Sequence, residues 1–113
     1  MTEHNINIDT KYFEPVHNGQ ITLLIFNKKI INGKPGDTLT LQNGSYTVTT
    51  TITKIETKSF GELTEQEAQQ AGFLNKDFLK DELIKRFNIT IFDFLRKIDD
   101  LLIYCIHTKG GKQ

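Results

Sequence analysis

The sequence predicts a small α+β domain whose sheet curls into a barrel, with an open α+β sandwich as the alternative. Three observations carry that prediction. Ile21–Phe26, I-T-L-L-I-F, is a nearly continuous apolar run of strand length. Asn43-Gly44 separates two segments that alternate with period two, which is the pattern of a tight hairpin. A helical segment then begins near Leu63, and a last strand, Leu101–His107, built on the apolar run Leu101–Ile106, follows it.

Each element follows from local chemistry. Ile6 and Ile8 alternate with Asn in a short first strand. Asp9 or Thr10 caps a brief helical turn carrying Tyr12, Phe13 and Val16, and Pro15 limits it by removing a donor. His17-Asn18-Gly19 reads as a turn. Ile21–Phe26 fits a strand buried on both faces. The stretch from Asn32 to Asp37, N-G-K-P-G-D, is a dense turn signal. Asp37–Gln42 alternates, with Leu39 and Leu41 facing one way. The Asn43-Gly44 turn leads into a strand from Tyr46 to about Thr57, rich in β-branched residues. Tyr46, Val48 and Ile52 share one face of it, and Thr47, Thr49, Thr51 and Thr53 form a solvated row on the other.

Leu63–Phe73, L-T-E-Q-E-A-Q-Q-A-G-F, carries a full set of helix punctuation. Thr64 and Glu67 make a capping box, Glu65 and Glu67 face the positive end of the dipole, and Gly72 closes the helix. A helix over Glu65–Ala71 results. Asn75 caps a second helix running to Phe87, with Leu79, Leu83 and Phe87 as its stripe and Phe78 and Ile84 widening it. Thr90 and Asp93 repeat the cap spacing before Ile91, Phe94, Leu95 and Ile98, a third short helix that Asp99-Asp100 ends. Leu101–His107 is the last strand, and Lys109–Gln113 a polar tail.

The 113 residues suit a single domain, with a core spanning about residues 6–107 and a flexible tail over 108–113. Hydrophobic content of 37% and charged content of 25% are ordinary for a globular protein. Fourteen basic residues balance fourteen acidic ones, which argues against strong non-specific attraction to nucleic acid or an anionic membrane. The longest apolar run is far short of the roughly 20 residues a spanning helix needs. The start, M-T-E-H-N-I-N-I, lacks a charged-then-apolar leader, so a cytoplasmic protein is expected. Cys105 has no cysteine partner and reads as an inert core thiol. His4, expected in a mobile start, His17 and His107 lack metal-ligand spacing. No phosphate loop or hydrolase motif is present, and no cofactor is implied.

Three separated features line up as a resemblance. Tyr12-Phe13-Glu14 leads to Asn18-Gly19 and a strand, Gly36-Asp37 opens the next strand, and the L-T-E-x-x-A-x-x-A-G-F string follows. In this order the chain resembles the ASCH domain of the PUA-like superfamily, from about Ile6 to His107, with Ile89–Ile98 as an extra element. The resemblance implies a small PUA-like β-barrel with flanking short helices and a cleft beside the barrel. The family's cleft motif, G-x-K-x-x-T-x-R, laid on Gly19 puts its Lys, Thr and Arg at Ile21, Leu24 and Phe26. One branch hydrolyses the acetyl amide of N4-acetylcytidine with a Lys, a Thr and a Glu, and the Glu position corresponds to Ala71. None of the three catalytic side chains is kept, so no catalytic residue is assigned.

Neighbours offer limited replacement. Glu67 lies one helical turn before Ala71, but its capping role already accounts for it. Lys29 shares the parity of Ile21, about 26 Å along a regular strand. The expected function is therefore an RNA- or nucleotide-binding module without the branch's catalytic groups. Lys28, Lys29 and Lys34 would contact phosphates, and Asn18, Gln20 and Thr22 would offer polar groups at the cleft edge. An amidohydrolase with relocated groups is one alternative. A protein-interaction domain using Ile21–Phe26 or Ile91–Ile98 is the other. Ligand and oligomeric state are left open.

Overall fold

The computed structural model describes residues 2–87 and 101–109. Its elements are β1 (Glu3–Asn7), a 3-10 turn (Thr10–Tyr12), α1 (Phe13–His17), β2 (Leu23–Phe26), β3 (Thr38–Asn43), β4 (Tyr46–Ser59), a 3-10 turn (Phe60–Glu62), α2 (Glu65–Gln70), α3 (Lys76–Arg86) and β5 (Leu102–Thr108). The fold is α+β, as the sequence predicts. The expected third helix over Ile91–Ile98, the Asp99-Asp100 break and most of the tail lie outside the described residues.

The five strands form one mixed sheet in the order β1-β3-β4-β5-β2. β1 runs parallel to β3, and the other pairings are antiparallel. β4 organises the curl. Its first half pairs with β3 and its second half with β5, and an irregularity between Ile52 and Lys54 separates the two. Such a bulge bends a strand and strengthens its twist, so one strand serves two directions of the sheet. The sheet does not close. β1 and β2 stand at its two ends without pairing to each other.

β2 and β5 are buried on both faces, which explains their continuous apolar runs. Inside the curl, Leu24, Tyr104 and Ile106 pack with Leu39, Leu41, Ile52 and α1 residues Phe13 and Val16. On the other face, Leu23, Ile25, Ile103 and Cys105 pack with Phe60, Ala68, Leu79 and Leu83 from the helical segment. Burial pushes the Cys105 thiol up to about 12, in keeping with an inert core residue.

Several boundaries differ from expectation for physical reasons. β2 starts at Leu23 rather than Ile21, because the Ile21 and Thr22 amides bond Pro15 and Gln70 carbonyls instead of a strand. The hairpin turn is Gly44-Ser45, with Asn43 paired to Tyr46, so the positive-φ glycine falls one place earlier in the turn. Of the expected solvated row, Thr47, Thr49 and Thr53 are exposed and Thr51 is half-buried. Tyr46 is 68% exposed at the hairpin tip, beyond the reach of the core. Phe78, expected in the stripe of α3, is 54% exposed. His4 is not in a mobile start. It lies on β1 and meets the buried Asp37 carboxylate at 2.9 Å, where Asp37 also accepts the Lys34 amide at 3.1 Å.

The helical punctuation is realised in full. Thr64 and Glu67 exchange capping bonds of 3.0 Å, and Gly72 and Phe73 donate to Gln69 and Ala68 in a Schellman closure. Gly72 has φ +98°, and a Cβ there would lie 2.9 Å from Ile21 Cδ1. That close approach seats the C-terminus of α2 against the chain entering β2.

Candidate functional site

A cleft of about 630 Å³ opens between the two unpaired ends of the sheet. One wall is the end of β1 and the 3-10 turn after it, from Asn7 to Tyr12. The floor is β2 with Ala71, and the opposite wall is α3. Helical spacing places Leu79, Glu82 and Arg86 in a row up that wall. Leu79 is fully buried at its base.

Glu82 is the hub of the polar groups. Its Oε2 accepts from the Tyr12 hydroxyl at 3.4 Å and lies 3.6 Å from Arg86 Nε and 3.8 Å from Lys11 Nζ. Arg86 Nη1 donates to the Ile25 carbonyl at 2.8 Å. The Arg86 guanidinium is 5.5 Å and the Lys11 ammonium 5.4 Å from the centre of the Tyr12 ring, both within cation–π range. Burial raises the Tyr12 phenol above its ordinary value, with Arg86 opposing and Glu82 adding to the shift. Asp9 is committed to the Lys11 backbone amide at 2.9 Å. Lys85 also lines the cleft and has no ion pair among the described residues. The result is an apolar floor under one aromatic ring and three cations.

Of the family-motif positions, Leu24, Phe26 and Ala71 line this cleft, while Ile21 is turned into Gly72. The six residues expected at the site do not line it. Asn18 and Gln20 bond each other, through the Gln20 amide to Asn18 Oδ1 at 3.0 Å and the side-chain amides at 3.4 Å. The Thr22 backbone is held by Gln70 and Thr108. Lys28, Lys29 and Lys34 are exposed on the loop that leaves β2, beginning two residues beyond Phe26. Tyr12, Lys11, Glu82, Lys85 and Arg86 escaped sequence reasoning. The Glu82/Arg86 spacing was visible, but nothing local joins the turn after β1 to α3.

A second polar cluster lies where α2 crosses β4 and β5. Past the bulge, Lys54, Glu56 and Lys58 face the same side as His107 and Cys105 of β5. Lys58 Nζ donates to both Glu67 oxygens, at 2.8 and 3.1 Å, and lies 3.5 Å from Glu56. His107 Nε2 meets Glu56 at 2.8 Å. Burial works to raise the Glu67 carboxyl, but the Lys58 hydrogen bond and the Thr64 amide outweigh it and hold it low. Glu56 is likewise held low against its burial by His107 and Lys58, and the Glu67 bond raises Lys58. Ligand atoms of Glu56, Glu67 and His107 lie within 4.8 Å of one another, a spacing that could hold a cation. The Lys58 ammonium already stands among them. Glu67 is therefore turned toward β4, and Ala71, one turn on, is the α2 side that meets the cleft.

No family model matches the sequence, and no curated protein matches it. Among solved structures, the chain is similar to an ASCH domain from Lactobacillus crispatus JV V101, with TM-score 0.69 and 12% identity over 96% of this chain and 78% of that one. It is similar to protein EF3133 of Enterococcus faecalis V583, of family DUF984, with TM-score 0.67 and 18% identity over 88% of this chain. This chain spans 66% of the length of that protein. It is also similar to the hypothetical protein PH0355, with TM-score 0.62 and 16% identity over 96% and 99% of the two chains. The chain shares the overall fold of these structures, an ASCH domain among them, as the sequence resemblance implied, with the sheet left open. Among the described residues, no helix is long and apolar enough to cross a membrane.

Proposed function

We propose that this ASCH-like chain is a cytoplasmic binding module for RNA or a nucleotide-like ligand. One observation carries the reading: Tyr12, Lys11, Lys85 and Arg86 converge over the apolar floor of Leu24, Phe26 and Ala71. A base needs apolar or aromatic surface, and its phosphate needs cations close by. A cleft of about 630 Å³ is within the usual range for small-molecule sites. Lys28, Lys29 and Lys34, on the loop that leaves β2, would then meet the phosphates of a chain longer than one nucleotide.

The test is titration of a short labelled single-stranded RNA, and of adenosine monophosphate, at low and high salt. RNA affinity should fall steeply with salt, with a log–log slope of about −2 for three phosphates. Lys85→Ala should weaken both ligands, and Lys28→Ala with Lys29→Ala the RNA alone. Salt-independent affinity, or no binding of either ligand at low salt, would sink the proposal.

A second reading, an amidohydrolase with relocated groups, is supported by Glu82 and Lys85 sharing the cleft whose motif positions are apolar. Acetate release from N4-acetylcytidine decides it. Glu82→Gln should abolish any turnover, and Glu67→Gln should not.

A further inference from the structure

The cleft contains an anion already, and it belongs to the protein. A single oxygen, Glu82 Oε2, faces the Tyr12 hydroxyl at 3.4 Å, Arg86 Nε at 3.6 Å and Lys11 Nζ at 3.8 Å. Charge-assisted bonds settle near 2.8 Å when geometry permits, so three donors converge on this oxygen and none is at bonding optimum. The slack is not a loosely seated helix, because Leu79 and Leu83 beneath it are fully buried. By contrast, Glu67 Oε1 accepts the Thr64 amide at 3.0 Å and Lys58 Nζ at 3.1 Å, whereas Glu82 Oε2 stands among three donors without closing on any of them.

We infer that the Tyr12 hydroxyl, Lys11 and Arg86 form a phosphate subsite, and that Glu82 fills it in the free protein as a stand-in for the ligand's phosphate. The inference rests on the nucleotide reading of the cleft and deepens it. A phosphate monoester offers three terminal oxygens and about −1.5 to −2 charge near neutral pH, and so satisfies separate donors that one carboxylate oxygen cannot. Glu82 has 22% of its side chain exposed, which gives it a route to solvent when the phosphate enters. Until then it offsets the mutual repulsion of Lys11, Lys85 and Arg86. The other acid on the wall, Asp9, caps the turn through the Lys11 amide. The subsite therefore favours nucleoside monophosphates over nucleosides, and Glu82 sets by how much.

Calorimetry with inorganic phosphate, adenosine monophosphate and adenosine tests this on the wild-type chain, Glu82→Gln and Lys11→Ala. Glu82→Gln should bind both phosphate ligands at least fivefold more tightly and adenosine no differently, while Lys11→Ala should lose phosphate affinity. Glu82→Asp, which draws the carboxylate back from the three donors, gives the same gain if Glu82→Gln does not fold. If the wild type binds the monophosphate and both Glu82 variants bind it equally or less well, the stand-in role falls and the cleft reading stands. An equal gain for adenosine overturns the phosphate assignment. Should neither wild type nor variants bind phosphate or monophosphate, the nucleotide reading falls with it.

Discussion

Two glutamates, Glu67 on α2 and Glu82 on α3, each draw several donors to one carboxylate, and they do so in opposite styles. Around the Glu67 carboxylate, Lys58 Nζ stands at 2.8 and 3.1 Å and the Thr64 amide at 3.0 Å, with the Thr64 hydroxyl farther off at 3.5 Å. Around Glu82 the contacts are 3.4–3.8 Å. The first cluster pins a helix to the sheet. The second lines a cleft and holds donors in a spacing that its own acid does not satisfy. The short bonds at Glu67 belong to the fold, and the longer ones at Glu82 are the ground on which the phosphate subsite is proposed.

The contrast is open to attack in order of size. If the slack at Glu82 came from a loosely held helix, truncating that helix's buried anchor would cost little. Leu79→Ala should instead lower unfolding stability by about 2–5 kcal/mol, measured by urea denaturation, because Leu79 is fully buried between cleft and core. Next, Lys58→Met leaves two partly buried carboxylates facing each other, and should cost about 1–2 kcal/mol while leaving ligand affinity unchanged. A drop in affinity equal to that of Lys85→Ala would dissolve the division between the clusters.

Smaller again at any single site is the effect of acid. Glu56, Glu67 and Asp37 are all held below their ordinary values in the folded chain. A group lowered on folding stabilises at pH above its unfolded value, and that contribution disappears as pH falls through the folded one. The urea midpoint should hold down to about pH 5 and decline below about pH 4, and Glu67→Gln should remove part of the decline. A decline complete by pH 5 would assign it to other groups.

Much of the tight region was legible in the sequence, and little of the slack one. The Thr64–Glu67 box, the Gly72 closure and the Asn75 cap are short-range bonds, so spacing alone reveals them. β2 and β5 announced their double burial by unbroken apolar runs. The partnership of Glu67 with Lys58 depends on the shift near Thr53, which re-aims every later side chain of β4 and leaves no mark in a row of threonines. The cleft depends on Tyr12 meeting Glu82, seventy positions apart by number, and on the sheet failing to close. The resemblance located its floor, at Leu24, Phe26 and Ala71, because those positions lie on regular elements. It missed the walls, because Lys11, Tyr12, Glu82 and Arg86 lie on elements that carry none of the cleft-motif positions.

β1 has a consequence for the order in which the molecule comes apart. It pairs with β3 alone, in parallel, with Glu3 beside Thr38 and Asn7 beside Gln42. Its partners lie on the far side of α1 and β2 in the chain, so its pairing closes a long loop and rewards that closure with one buried residue, Ile6. Its amides should exchange with deuterium through a partial opening well below the free energy that protects β4 and β5. Because Asn7 and Ile8 form one lip of the cleft, each such opening also widens it, so strand fraying and cleft opening are a single fluctuation.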